Sequence, residues 1–584
     1  MIRGCRVSLA ALVGIAITIG AIVHLTTTMM GPEVANPSLL SLVGAPAASY
    51  MSAGAREMLD ESMAWMDSFY DADAGYLLDL SSSKPRIHDT RSSMWYACGL
   101  LARDGRGDLE EAEKIIRNII AGQYRDPSKE WYGVYERKPE EPEVGSPSYP
   151  AIIYGSWDPN WRGFVSTAMI VAMEEFSHRL SDEIQDLMLD SIQAATVGDS
   201  YRFGNIGLGK DNLYPAYSNP AIMRAFASGW TGRRTQDNNM TRAGEAYGQD
   251  IIDLFNYFET LSEFNSPTYT GVSLFGLVLW DKYLPADNST MAKNAPRMIK
   301  KTWETVGQVW HPRLRNIAGP WDRVYGYDMN HYLSVMALWL WPKIGKEESG
   351  LAARPEAMSH SADYAFAPVL AILDKAHSKL VPDEVVDKLS IFQGEHMYHA
   401  SAWSPPYDLV WRNYSTWMDE KIAVGGMSFN QVQQGGAGGN LEAFMPVIVQ
   451  WDTGNEVGFI ALITGEYAME AVVEPGQMTL TFPRGAPHTL FTFAVSTFRE
   501  QRTVTKWEDL PGLSVNVTGN VDPNYTVKFG GTHGGADKPT MGFEWWHFEY
   551  KMPGGYDGYP SIVMQFEVEQ DTADDTLETI GTGF

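Results

Sequence analysis

The sequence predicts an α+β multidomain protein, an N-terminal (α/α) toroid of about six helical hairpins followed by an antiparallel β-sandwich. Three observations carry this. The apolar pattern has a helical period from about residue 50 to 392 and a period of two after about residue 395. The helical segments alternate between apolar on every side, as in residues 271–280 and 332–341, and striped with charge, as in residues 108–117. Buried helices are apolar all round and solvent-facing ones are striped, so the alternation fits inner and outer rings. No fixed-period repeat favours a solenoid.

Residues 1–48 form a signal peptide or signal anchor with a linker. Arg3 and Arg6 precede an uncharged, mostly apolar run from Val7 to Leu25, long enough for either role. Basic residues before this run and none close after it would leave the bulk of an anchored chain outside the cytosol. The chain is therefore expected to be secreted, or held by a single-pass anchor through residues 7–25. Sequons at Asn239, Asn288, Asn413, Asn516 and Asn524 agree with a glycoprotein. Cys5 and Cys98 are the only cysteines, so the mature protein has no internal disulfide, and Cys98 reads as a core residue.

The toroid, residues 49–394, contains helices near 51–70, 90–103, 108–124, 161–179, 182–200, 215–229, 240–262, 268–283, 290–312, 327–341, 360–376 and 382–391. The sandwich, residues 395–566, contains β-type runs at 444–451, 457–463, 478–482, 490–495, 513–517 and 562–566, separated by Gly, Pro and Asn. Residues 567–584 read as an acidic flexible tail.

A net charge of −27 excludes nucleic acid and anionic membranes as partners. Zinc-ligand spacing, a phosphate loop and a Gly-x-Ser-x-Gly elbow are all missing, so neither a metal nor a cofactor is implied. His396 and His399, three positions apart at the domain junction, could reach the cleft or bind a metal.

What remains is a set of polar, aromatic loops, each leading into an apolar helix. They hold His88, Asp89 and Arg91; Trp157, Asp158 and Trp161; Tyr217 and Asn219; Asn265 and Tyr269; and Arg323, Tyr325, Tyr327, Asp328 and His331. Inner helices of a toroid run parallel, so these loops converge on one mouth. Bland roles exist for each. Asn265 could cap a helix with Pro267 in its first turn, Tyr269 and Tyr327 could be core-edge aromatics, Arg323 could pair with Asp322 or Asp328, and His331 could be a core histidine. Tyr327, Asp328 and His331 share one helical face, which weakens the bland reading for that group.

A helical toroid with an appended sandwich and a cleft of Asn, His, Arg and Tyr resembles the toroid polysaccharide lyases, including heparinase-like and alginate-lyase-like enzymes. The likeness spans residues 50–565 in architecture and rests at motif level on Asn265 to Tyr269 and Arg323 to His331. It implies β-elimination at a uronic acid in a polysaccharide or oligosaccharide substrate. Asn265 and Arg323 would neutralise the uronate carboxylate, and Tyr325, Tyr327 or His331 would transfer protons. His88, Asp89, Arg91, Trp157, Asp158, Trp161, Tyr217, Asn219, Tyr269 and Asp328 would line the substrate site. The acidic chain would repel a polyuronate unless Arg91, Arg162, Arg224 and Arg323 make the cleft locally positive. A glycoside hydrolase using a pair drawn from Asp89, Asp158 and Asp328 is the alternative. A non-catalytic glycan-binding protein is the third reading.

Overall fold

The computed structural model describes residues 51–79, 86–207, 210–324, 334–351, 361–433, 444–454, 456–497, 504–533 and 543–569. The leader, the apolar run at 7–25, most of the acidic tail, and Tyr325, Tyr327, Asp328 and His331 lie outside the described residues. No described helix is long and apolar enough to cross a membrane.

Twelve α-helices stand among the described residues. They are α1 (Ala53–Asp67), α2 (Thr90–Arg103), α3 (Asp108–Ala121), α4 (Trp161–Phe176), α5 (Asp182–Ser200), α6 (Ser218–Arg234), α7 (Asn238–Phe258), α8 (Pro267–Tyr283), α9 (Thr290–Val309), α10 (Ser334–Ile344), α11 (Ala367–Ser378) and α12 (Asp383–Ser390). Side-chain caps set several starts: Ser52, Asp89, Ser181, Asp237 and Ser289 each accept a first-turn backbone N–H. Glu259 ends α7 in the left-handed conformation, earlier than the apolar pattern predicts.

The inner ring closes on itself. α2 packs on α4, α4 on α6, α6 on α8, α8 on α10, α10 on α11 and α11 on α2. The striped helices α3, α5, α7 and α9 flank it outside, and α1 covers α10 and α11. The strict inner–outer alternation breaks once: α10 and α11 are consecutive yet both inner. α11 is buried from Ala367 to Asp374, so it has no solvent face to turn outward. Close helix approach needs missing side chains. A Cβ on Gly271 of α8 would meet the backbone N of Met336 in α10 at 2.7 Å, too close for any side chain.

The inner aromatics are core residues, and two of the tryptophans bridge neighbouring helices through their indole N–H. Trp339 Nε1 donates to the Gly271 carbonyl at 2.8 Å and Trp280 Nε1 to that of Ile222 at 3.0 Å. Cys98 is buried among them, and burial pushes its thiol up to about 12.

Short strands β1 (Tyr70–Asp71), β2 (Tyr76–Leu78) and β3 (His88–Asp89) make one small sheet, and β4 (Trp310–His311) pairs with β5 (Asn316–Ile317). Strand β4 replaces the end predicted for α9. His311 is fully buried there; its Nε2 donates to the Asp419 carbonyl at 2.8 Å and its Nδ1 accepts the Leu314 N–H at 3.3 Å. Burial lowers its pKa from 6.5 to about 4. The unfolded chain therefore binds a proton here before the folded one does. Stability from neutral His311 is complete above pH 6.5 and is lost as pH falls toward about 4, by up to roughly 3 kcal/mol. Denaturant unfolding at pH 7.5, 6 and 5 is expected to show this loss. His311→Gln, less stable at pH 7.5, should show a shallower acid dependence.

The C-terminal half is a twelve-stranded antiparallel sheet. Its strands are β6 (His396–Ala402), β7 (Asp408–Asp419), β8 (Ile422–Gln431), β9 (Val447–Asp452), β10 (Val457–Ile463), β11 (Ala468–Glu474), β12 (Gln477–Thr481), β13 (Leu490–Thr497), β14 (Leu513–Gly519), β15 (Thr526–His533), β16 (Phe543–Lys551) and β17 (Ser561–Val568). The pairing runs β14-β17-β12-β11-β8-β9-β10-β13-β16-β15, with β7 also on β8 and β6 on β7. The sheet curls into a sandwich. Met478, Leu480 and Met564 on one limb share a core with Ile460, Phe493 and Phe548 on the other.

The other face of β9, β10 and β13 seats the barrel. Trp321 and Val324 are buried against Ile448, Phe459 and Ala494, and Trp321 exchanges both backbone hydrogen bonds with Met445 at 2.9 and 3.1 Å. A Cβ on Gly425 would lie 1.9 Å from the Gly319 carbonyl oxygen, so only glycine lets β8 pass here. The sheet thereby fixes the segment that carries Arg323.

Candidate active site at the barrel mouth

The leading ends of the inner helices meet. Arg91, in the first turn of α2, donates from Nη2 to Asp363 Oδ1 at 3.3 Å, just ahead of α11. Its guanidinium also lies over the rings of Trp95, Trp161 and Phe164, at 4.9, 5.4 and 5.1 Å. Burial opposes its charge, but Asp363, Asp89, Tyr269 and Asp158 hold it more basic than an ordinary arginine. Arg91 Nε is buried without a hydrogen-bond acceptor among the described residues.

Across the mouth, Arg323 Nη1 donates to Glu263 Oε1 at 3.0 Å. The other Glu263 oxygen accepts from Asn219 Nδ2 at 2.8 Å and from the Asn219 backbone N–H at 3.3 Å. Glu263 therefore ties the start of α6 to the Arg323 segment. The Arg323 guanidinium stands 4.0 Å over the Tyr269 ring and 4.9 Å from that of Tyr217. Tyr217 OH accepts from Asn160 Nδ2 at 3.3 Å, and Asn160 Oδ1 accepts from Arg202, itself paired with Asp211. Arg91, Asp158, Trp161, Tyr217, Asn219, Tyr269 and Arg323 thus share one site, with Arg323 stacked on Tyr269 and Arg91 within electrostatic reach of Tyr269 and Asp158.

Other candidates are committed elsewhere. Asn265 was expected to neutralise a carboxylate, but its amide donates to the carbonyls of Ala318 and Pro320, both at 2.8 Å. Both amide hydrogens are used, so Asn265 fixes the loop before Trp321 and has no donor left for substrate. Nor does it cap α8; that position is Ser266, followed by Pro267. His88 faces the small sheet, with Nδ1 2.5 Å from Glu140 Oε1 and Nε2 3.5 Å from Asp71. Trp157 fills a local core with Val134, Val144 and Trp161. Asp89 is the α2 N-cap, accepting the Ser92 N–H at 2.6 Å, and burial pushes its carboxyl up.

Two arginines expected to brighten the cleft do not reach it. Arg162 binds the carbonyls of Glu130 and Tyr132, and Arg224 lies over Tyr247, 3.6 Å from its ring. His396 is held between the carbonyls of Gly394 and Gln308, and His399 bonds Ser415. Among the described residues no cluster is suited to a metal ion.

Glu263, Asp363 and Asn160 are site residues that the sequence reading passed over. Glu263 lies two positions before Asn265 in a loop already singled out, and Asp363 precedes an apolar helix as the other loop residues do. Those positions were the available signals.

The fold and the mouth define an (α/α) barrel whose rim is completed by an antiparallel sheet. The chain belongs to the family described as "Domain of unknown function (DUF8769)", whose model matches residues 56–375. A second model, "Domain of unknown function (DUF8770)", matches residues 394–567. No curated protein matches the chain. Among solved structures it is similar to a chondroitin AC lyase of Streptomyces coelicolor A3 in complex with chondroitin sulphate, at 11% identity over 91% of this chain and 81% of that one, TM-score 0.42. It is similar to a heparan sulfate lyase HepC mutant of Pedobacter heparinus, at 10% identity over 91% and 86%, TM-score 0.29. It is also similar to endoglucanase CelQ of Clostridium thermocellum complexed with cellobiose and cellotriose, at 10% identity over 89% and 93%, TM-score 0.31.

Proposed function

We propose that the protein is a polysaccharide lyase that cleaves a uronic-acid-containing glycan by β-elimination. The observation that carries this reading is the placement of Arg91 and Arg323 about Tyr269 in a chain whose net charge is −27. Arg91 and Arg323, paired with Asp363 and Glu263, put two guanidiniums at the mouth of an otherwise acidic protein, and a uronate carboxylate is the sugar group that would use them. Neutralising that carboxylate acidifies the C5 proton and stabilises the enolate-like intermediate. Tyr269, reacting as its phenolate, takes the C5 proton; the electron pair of the C5–H bond forms the C4–C5 double bond, and the C4–oxygen bond breaks with its electrons leaving on the oxygen. The leaving oxygen takes up a proton from Tyr269 or a neighbour. Positive charge on Arg91 and Arg323 supports negative charge developing on the phenol. Tyr325, Tyr327 and His331 follow Arg323 by two, four and eight positions and are the further candidates for proton transfer. Trp161 and Tyr217 supply the flat walls.

A hydrolase would need two carboxylates at liberty. Asp89 is committed to capping α2 and Asp363 to Arg91, while Asp158, pushed up by burial, has no second carboxylate at liberty beside it among the described residues. The apolar run at 7–25 and the five sequons support meeting the glycan outside the cytosol.

Tyr269→Phe tests the assignment. With the ring kept beside Arg323, KM for a polyuronate should stay unchanged while kcat falls by ~10²–10⁴. Full activity in this variant would move proton transfer to Tyr325, Tyr327 or His331.

A further inference from the structure

Where the barrel meets the sheet, four aromatic side chains form a continuous surface row. Ring centroids are 5.1 Å apart for Trp403 and Tyr257, 6.2 Å for Tyr257 and Phe258, and 5.8 Å for Phe258 and Trp411. Tyr257 is 61% exposed and Trp411 55%, and neighbouring Leu409 and Val410 are also exposed. A soluble protein rarely leaves such a patch in water unless it binds something. Polar groups run beside it: His399 Nδ1 lies 3.0 Å from Ser415 Oγ, and Ser401 donates to Asn413 Oδ1 at 2.8 Å. Aromatic faces next to hydroxyl, amide and imidazole groups suit a pyranose, which has an apolar C–H face and a rim of hydroxyls. A partner helix would favour a purely apolar groove instead.

The row lies near the mouth. Glu263 lies five positions after Phe258, a span of at most about 18 Å. Tyr407, in the loop between β6 and β7, packs edge-on against Tyr214, three residues before Tyr217. We infer that Trp403, Tyr257, Phe258 and Trp411 form a non-catalytic subsite that grips a distant part of the long glycan chain held at the mouth. The uronate identity of that chain rests on the function proposed above; the stacking does not.

The test uses the full chain and a Trp411→Ala/Tyr257→Ala double variant, run in native gels containing polygalacturonate, alginate or chondroitin sulphate. At least one polymer should retard the wild type, and the double variant should lose retention by about tenfold, with unchanged thermal melting. Trp411→Phe, which keeps a ring, should still be retarded. For the retained polymer the double variant should show a higher KM at constant kcat, while a tetrasaccharide is cleaved as by wild type. Equal retention of wild type and double variant would overturn the subsite. So would a wild-type dimer that the double variant dissolves, or an N-linked glycan found on Asn413, which would cover Trp411. A protein retarded by a polyuronate yet producing no unsaturated sugar would overturn the lyase and leave the subsite. Product without retardation would do the reverse.

Discussion

Arg323→Ala is expected to lower kcat on a polyuronate by ~10²–10³, the usual cost of deleting one preorganised donor from a site that stabilises developing negative charge. Arg323 is placed for that role by three separate features. Trp321 and Val324 are buried against the sheet on either side of it, Glu263 holds Nη1, and its guanidinium lies over Tyr269. The alanine variant also leaves the buried Glu263 carboxylate with Asn219 as its remaining partner among the described residues, at a cost of about 1–3 kcal/mol. Stability and activity must therefore be separated. Arg323→Lys keeps a charge for Glu263 but loses the planar face over Tyr269, so it should fold like wild type and still lose most of kcat. An alanine variant that is fully active and merely less stable would reduce Arg323 to a structural ion pair.

Arg412→Met is expected to destabilise the chain by about 3–5 kcal/mol, because it leaves buried carboxylates without their cation. Arg412 is 1% exposed. Its Nε donates to Asp408 at 2.9 Å, Nη2 donates to the Ser262 carbonyl at 2.6 Å, and Nη1 donates to Asp322. One strand of the sheet thus holds two of the loops that form the mouth, through Ser262 beside Glu263 and through Asp322 beside Arg323. Burial pushes the Asp322 carboxyl up to about 7 even with Arg412 against it. Without the arginine, Asp322 has lost the chief group that stabilises its charge. Denaturant unfolding measures the loss. Adding Asp322→Asn to Arg412→Met should recover part of it, since a neutral amide is cheaper to bury than an unpaired carboxylate. A single variant as stable as wild type would show that the sheet does not hold the mouth in this way.

Helix positions were legible because each depends on local pattern. The apolar stretches around Leu274 and Trp339 can only be inner helices, and Ser and Asp caps mark several starts. The sheet was half legible. Strands β9, β10 and β13 are apolar runs, but β8 combines Gly425-Gly426 with Ser428 and Asn430 while being buried along most of its length. β7 exposes Leu409, Val410 and Trp411, so neither strand shows a two-residue alternation. At the mouth, sequence spacing identified the loops but not the direction of each side chain. Asn265 and Tyr269 lie four positions apart, yet one turns to backbone carbonyls and the other to Arg323. His88 and Asp89 are adjacent on a strand, where neighbours point to opposite sides. Long-range pairs such as Arg412 with Asp322, or Glu263 with Arg323, leave no local trace at all.

The most direct test is the nature of the product. The full chain is incubated with polygalacturonate, alginate and chondroitin sulphate, following ultraviolet absorbance of an unsaturated uronate and, in parallel, new reducing ends. Elimination at the Arg91–Tyr269–Arg323 site predicts that the two signals rise together on at least one polymer and that both collapse in Arg323→Ala. Reducing ends formed without the absorbance would contradict it and make the protein a hydrolase.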